Sequence, residues 1–444
     1  MSESDCRIAE SQLDETEFGK HTMSIKGHLS DLFHQSIALL GSLTRRRLVV
    51  SSRRQDALTS GLQRPATGYM VFSRTSGHFL AVTMLAFGSL LLTHESHASI
   101  VWSTATGGAV DSSPTVAGGV VYVGSGDGRV YALDASTGVI LWTTNTGTAV
   151  SSSPTSDSGV VYVGSGDGKV YALNGATGVI LWATNTGGAV NSSPTLVNGV
   201  VYVGSGDGKV YALNGATGAT IWSNATGLSV NSSPIVVNGV LYVGSDNGKI
   251  SAMNAQTGVT LWITNTGGAV KSSPTVVNDV IYVGSDDHKI YAINAQTGAI
   301  LWTTATNGAV RSSPTIENGV VYVGSDDHKI YALNAQTGAI LWVTITGGAV
   351  DSSPTVVNGV VYIGSDDSYL YALVADTGAI LSQLLTGGAI DSSPDVIGGF
   401  VYVGSDDRRI YAFDAIPQTG SVPEPGTLAL LAFSLVGLSY SRRR

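Results

Sequence analysis

The triplet Ser-Ser-Pro ends at Pro114, Pro154, Pro194, Pro234, Pro274, Pro314, Pro354 and Pro394, a spacing of 40 residues kept without insertion or deletion. So strict a period over eight copies means one supersecondary unit written repeatedly. The stretch from Val323 to Trp342 repeats that from Val283 to Trp302 almost letter for letter. Such a chain folds into either a stacked solenoid or a ring.

Strands are readable inside one unit. Ser313 to Ile316 starts a strand around Pro314, which is tolerated there because it has no N–H to give. Asn318-Gly319 is a type I′ hairpin dipeptide, so Val320 to Ser325 returns antiparallel. Asp326 to Lys329 makes the next turn, Ile330 to Asn334 the third strand, and Thr337-Gly338 a further turn into Ala339 to Thr344. A four-stranded meander of this period is a propeller blade. The array ends decide closure. Ile100 to Thr104 matches a fourth strand (compare Ile300 onward) with no first three before it, while the last unit stops after three strands at Asp414. The expectation is an all-β, eight-bladed β-propeller of four-stranded antiparallel blades over residues 99–417. Its N-terminal strand completes the last blade and leaves no open edge.

The fourth strands carry Trp102, Trp142, Trp182, Trp222, Trp262, Trp302 and Trp342, which are all seven Trp of the chain; the eighth equivalent is Ser382. With the upstream pattern ALNAQTGAILW, this series resembles the tryptophan-docking repeat of pyrroloquinoline-quinone (PQQ)-type propellers. The resemblance implies that each indole packs between neighbouring blades, so the seventh-to-eighth contact is expected to be the weakest. In that family's dehydrogenases the quinone sits on the propeller axis with a calcium ion, an Asp base and usually a pair of adjacent cysteines. Here the single cysteine, Cys6, lies outside the repeats, no loops are inserted around the axis, and no Asp stands out as a base. The expectation is therefore no catalytic residue, no metal and no cofactor, PQQ and Ca²⁺ included, and no enzyme; a PQQ-dependent oxidoreductase is the alternative. A second resemblance, to the propeller lipoprotein of outer-membrane assembly, lacks the cysteine that should follow the signal core within Thr93 to Ser99.

Binding is best sought where the copies stop agreeing. The residue before Ser-Ser-Pro is Asp111, Ser151, Asn191, Asn231, Lys271, Arg311, Asp351 and Asp391 in turn. In a propeller this turn opens at the mouth of the central channel. Acidic side chains of the last two units and the first would face the basic pair across it, a polarised mouth suited to a ligand carrying charge or many hydroxyls. The alternative is tolerated surface substitution between duplicates. The turn between second and third strands also varies, from Gly126-Asp127-Gly128 to Asp286-Asp287 and Asp326-Asp327, followed by His288 and His328. A turn role suffices for these, because Asp and His accept left-handed backbone. Residues 99–417 hold 22 Asp or Glu against 10 Lys or Arg, which excludes a nucleic-acid footprint.

Both ends read as addresses. Phe79 to Leu92 is a short apolar core after Arg74 and His78, followed by small residues up to Ala98, which makes 70–98 a secretory signal peptide and 1–69 a non-native or disordered leader. Residues 418–427 form a linker holding Pro423, Glu424 and Pro425; 428–444 carry an apolar run to Tyr440 and a terminal Arg cluster. This tail resembles the PEP C-terminal sorting signal. The resemblance implies transient membrane association through 428–440, recognition by an exosortase, and delivery to the cell surface or extracellular polysaccharide matrix of a Gram-negative bacterium. An ordinary anchor is the alternative, though the run is shorter than the roughly 20 residues of a spanning helix. The functional expectation is an exported, non-enzymatic binding or scaffolding propeller whose partners are polysaccharide or another envelope protein. An envelope assembly factor is a further alternative.

Overall fold

The computed structural model describes residues 99–416, so the leader, signal peptide, linker, Pro-Glu-Pro motif and apolar tail lie outside the described residues. Strand β1 (Ile100–Ala105) comes first. The first blade follows as β2 (Thr115–Ala117), β3 (Val120–Gly124), β4 (Arg129–Asp134) and β5 (Ile140–Asn145). This order recurs around the ring to the seventh blade, β26 (Thr355–Val357) to β29 (Ile380–Leu385), and the eighth, β30 (Asp395–Ile397), β31 (Phe400–Ser405) and β32 (Arg409–Asp414). All eight sheets are four-stranded, and the eighth runs β1-β32-β31-β30. Trp102 of β1 pairs with Ala412 of β32, the register that Trp142 keeps with Ala132 inside the first blade. The N-terminal strand thus closes the ring.

Local chemistry explains the strands. In the sixth blade Asn318 and Gly319 have φ of 50° and 79°, the paired left-handed conformations of a type I′ turn. The strand before that turn runs Thr315–Glu317, so Ser313 and Pro314 stand outside it. The reason is that the Ser313 N–H is donated to Ser353 Oγ of the next blade at 2.9 Å, and Pro314 has no N–H. The same bond recurs at every boundary, from Ser113 to Ser153 at 3.0 Å through to Ser393 back to Ser113 at 2.9 Å. This belt of serine hydroxyls runs unbroken around the inner strands.

Hydrophobic core lies between blades as much as within them. Val321, Val323, Tyr331 and Leu333 of the sixth blade pack with Tyr282, Ile290 and Ala292 of the fifth, and seven equivalent clusters complete the circle. Each buried aliphatic side chain contributes about 1.5–3 kcal/mol. Over this core each Trp reaches the next blade. The Trp302 indole N–H donates to the Ala335 carbonyl at 3.0 Å, its ring centroid lies 5.9 Å from that of Tyr282, and the other six indoles repeat the bond. Gly338 allows this approach: its φ is +71°, and a Cβ there would lie 2.6 Å from the Trp302 ring.

At the seventh-to-eighth boundary Ser382 cannot dock. Ala415 and Ile416 pack against the cluster of Val360, Tyr362, Leu370 and Phe413 instead, so the departing chain refills the gap left by the missing indole.

Candidate functional site

Each residue before Ser-Ser-Pro is held by buried neighbours on both sides. In the first unit Val110 is fully buried and donates its N–H to Ser405 O, while buried Ser112 accepts from Gly124 N–H and donates to Ser152 O. Asp111 between them is exposed at the end of the axis. Repetition around the ring builds a circle of eight such positions at the channel mouth.

The structure adds a second circle that the sequence reading had assigned to turns alone. The first residue of the turn between second and third strands is Gly126, Gly166 and Gly206 in the first three blades, then Asp246, Asp286, Asp326, Asp366 and Asp406. These carboxylates meet the mouth residues. Asn191 Nδ2 donates to Asn231 Oδ1 at 3.3 Å, and Asn231 Nδ2 to Asp246 Oδ2 at 2.9 Å. Lys271 Nζ lies 3.3 Å from Asp286, and the Arg311 guanidinium lies 3.4 Å from Asp286, 2.7 Å from Asp326 and 3.8 Å from Asp351. Sequence comparison of the copies could have found the second circle, because the Gly-to-Asp change falls at one fixed position.

This arrangement refines the expected polarity. Lys271 on the fifth blade lies across the ring from Asp111 on the first, but Arg311 on the sixth sits beside Asp351 rather than opposite it. Both cations are tied to carboxylates of the second circle. Past Arg311 the acids are left to one another. Burial first, then the hydrogen bond its protonated carboxyl donates to Asp326, pushes Asp351 up to about 7 despite Arg311. Burial and a hydrogen bond with Asp366 push Asp391 up to about 8, and burial with the charge of Asp111 pushes Asp406 up to about 6. The mouth therefore has three arcs: one from Ser151 to Asn231 whose amides end on Asp246, an ion-paired one from Lys271 to Asp326, and a proton-sharing one from Asp351 to Asp111.

The second Asp of each turn has different work. Asp287 and Asp327 each accept from the Tyr291 and Tyr331 hydroxyls at 2.6 Å and from Lys289 and Lys329 at 3.2 Å. Burial raises these carboxyls, but the Tyr and Lys hydrogen bonds outweigh it and hold them below their ordinary value. In the fourth blade Asn247 and Ser251 replace the Asp and the Tyr together. His288 and His328 sit at φ 67° and 64°, completing the turns. Among the described residues no three His, Cys, Asp or Glu converge to hold a metal ion.

Deeper in the channel Thr115, Thr155, Thr195, Thr275, Thr315 and Thr355 donate to the next blade's proline carbonyl. The eighth equivalent is Asp395, whose carboxylate accepts from Val116 N–H at 2.9 Å across the closure boundary. Burial raises its pKa.

Eight blades, a belt of inner-strand serines and a divergent mouth define a closed repeat propeller. The chain belongs to the PQQ_2 family, described as outer membrane protein assembly factor BamB, which matches residues 42–150, 126–273, 246–384 and 344–422. Residues 421–444 match the PEP-CTERM protein-sorting motif. No curated protein matches. Among solved structures, BamB from Moraxella catarrhalis is 21% identical with a TM-score of 0.64, covering 71% of this chain and 99% of its own. The computationally designed Ika8 protein is 17% identical with a TM-score of 0.64, covering 70% and 97%. Quinohemoprotein alcohol dehydrogenase from Comamonas testosteroni is 16% identical with a TM-score of 0.60, covering 73% and 78%. At these identities the likeness is one of fold. The chain is an exported propeller of this family carrying a sorting signal read by an exosortase.

Proposed function

We propose that this propeller is a non-enzymatic binding or scaffolding module at the cell surface or in the extracellular polysaccharide matrix, and that the channel mouth is a site of recognition. One observation carries the reading. Forty-residue copies that agree closely on either side of these positions differ at the two circles of side chains meeting at the mouth, and there they build three arcs of different charge. An arc of proton-sharing carboxyls beside a neutral arc favours a cationic or hydroxyl-rich ligand and repels anions.

The quinone reading has one finding in its favour, the fold likeness to quinoprotein dehydrogenases. The donor set here fits the group poorly. Lys271 and Arg311, the only cations of the first circle, are already paired with Asp286 and Asp326, and the described residues contain no cysteine. Titration of the purified protein with PQQ and calcium, followed by tryptophan fluorescence, tests this directly. Absence of saturable quenching supports the binding-module reading, and tight saturable quenching overturns it in favour of an oxidoreductase. Surface fractionation with and without the exosortase tests the delivery.

A further inference from the structure

The face opposite the mouth has a separate chemistry. Here lie the turns joining first to second and third to fourth strands, and a cleft opens between blades. Between the third and fourth blades Tyr202, Ile221 and Trp222 wall a cleft of about 420 Å³ with Asn198, Asn254 and Gln256 at its edge. Equivalent positions between the fifth and sixth blades (Tyr282, Leu301, Trp302, Gln336) and between the first and second (Tyr122, Leu141) enclose about 400 Å³ and 430 Å³. The aliphatic walls stay open to solvent: Leu141, Ile221 and Leu301 are 52%, 50% and 51% exposed.

Charge narrows the occupant. This face carries Asp134, Asp157, Asp279, Glu317, Asp376 and Asp414, whereas every Lys and Arg among the described residues lies at the mouth end. An anionic ligand is repelled. The clefts between third and fourth and between fifth and sixth blades contain no charged side chain at all. They offer instead an apolar wall beside amides, each of which both donates and accepts. That pairing suits a molecule with an apolar C–H face and hydroxyl edges and no charge.

We infer that these inter-blade clefts are repeated subsites for an uncharged polysaccharide, each seating a sugar ring between the aliphatic-aromatic wall and the amide edge. Single-site affinity in so shallow a cleft is weak. A polymer engaging several clefts of one ring gains avidity, because each later contact is intramolecular. The inference rests on the binding-module reading but not on the mouth.

The test is affinity electrophoresis of the full chain in detergent, through gels cast with dextran, galactomannan or laminarin, with polygalacturonate as the charged comparison. Retardation by at least one neutral polymer, and none by polygalacturonate, is expected. Ile221→Asp with Leu301→Asp, at exposed positions, should weaken it at least tenfold. Gln256→Ala with Gln336→Ala should weaken it without touching the walls, and Ile345→Asp, at an exposed apolar position on the far end of an outer strand, should leave it unchanged. No retardation by any neutral polymer, equal retardation by polygalacturonate, or indifference to both cleft pairs overturns the inference. Loss on Asp351→Asn with Asp391→Asn, while both cleft pairs bind as the parent does, overturns it too and leaves the mouth as the binding site.

Discussion

Tyr362 accepts a hydrogen bond from the Ile416 N–H at 2.9 Å, whereas Tyr322, its equivalent one blade earlier, donates to the Ala375 carbonyl at 3.3 Å. The reversal follows from one substitution. Where a Trp stands on the fourth strand, its indole N–H and the Tyr hydroxyl converge on the same carbonyl, as Trp342 and Tyr322 do on Ala375. Ser382 removes the indole, and the chain leaving β32 uses its own backbone and the Ile416 side chain to cover Tyr362, which is only 1% exposed.

Ile416→Ala should therefore lower stability by about 1–2 kcal/mol, more than a change at a solvated loop residue would. Differential scanning fluorimetry reads the change. A melting temperature unmoved from the parent would mean that the boundary is held by β-strand contacts alone.

Gly338 and Gly359 separate two costs that a sequence cannot tell apart. Both have positive φ, +71° and +74°, but a Cβ on Gly338 meets Trp302 at 2.6 Å while nothing lies within 4 Å of one on Gly359. Gly359→Ala should cost about 1–2 kcal/mol from backbone conformation. Gly338→Ala should cost clearly more, on the order of 3 kcal/mol or above, because the indole must shift as well. Urea titration of the two variants checks the order.

Removing Ile100–Ala105 exposes the edge of β32 and empties the Trp102 docking site on Ala135. The variant should melt earlier and elute as dimers or larger species, since an unpaired edge recruits another chain. Size-exclusion chromatography with light scattering decides; a monomer with the parent's melting curve would count against closure through β1.

Strands, turns and ring closure were legible because the period repeats eight times and each turn carries its own residue signature, as Asn318-Gly319 does. The mouth was legible only by half. Variation at Asp111, Arg311 and Asp351 stood out, but the meeting of Arg311 with Asp286 and Asp326 depends on how two turns from different blades aim their side chains. Ile416 was hidden for another reason: it lies just past the last strand, where the repeat no longer supplies an expectation. Asp395 in place of a threonine was visible but acquires meaning only from its bond to Val116 across the closure boundary.

The proton-sharing arc makes ring stability depend on pH. Burial and neighbouring carboxylates raise Asp351 to about 7, Asp391 to about 8 and Asp406 to about 6 from an ordinary value of 3.8. Folding thus retains protons that the unfolded chain has released, so these groups stabilise fully below about pH 4 and lose that contribution as pH rises toward 8. Asp287 and Asp327 work in the opposite sense, since their lowered pKa values add stability that is lost only as pH falls below the ordinary carboxyl range. Thermal melts should therefore peak in mildly acidic buffer and decline to about pH 8. Asp391→Asn, which cannot ionise, should flatten the decline, raising the melting temperature at pH 8 and changing it little at pH 5. An equal gain at both pH values would show that the asparagine acts through packing and that Asp391 does not hold a proton in the folded ring.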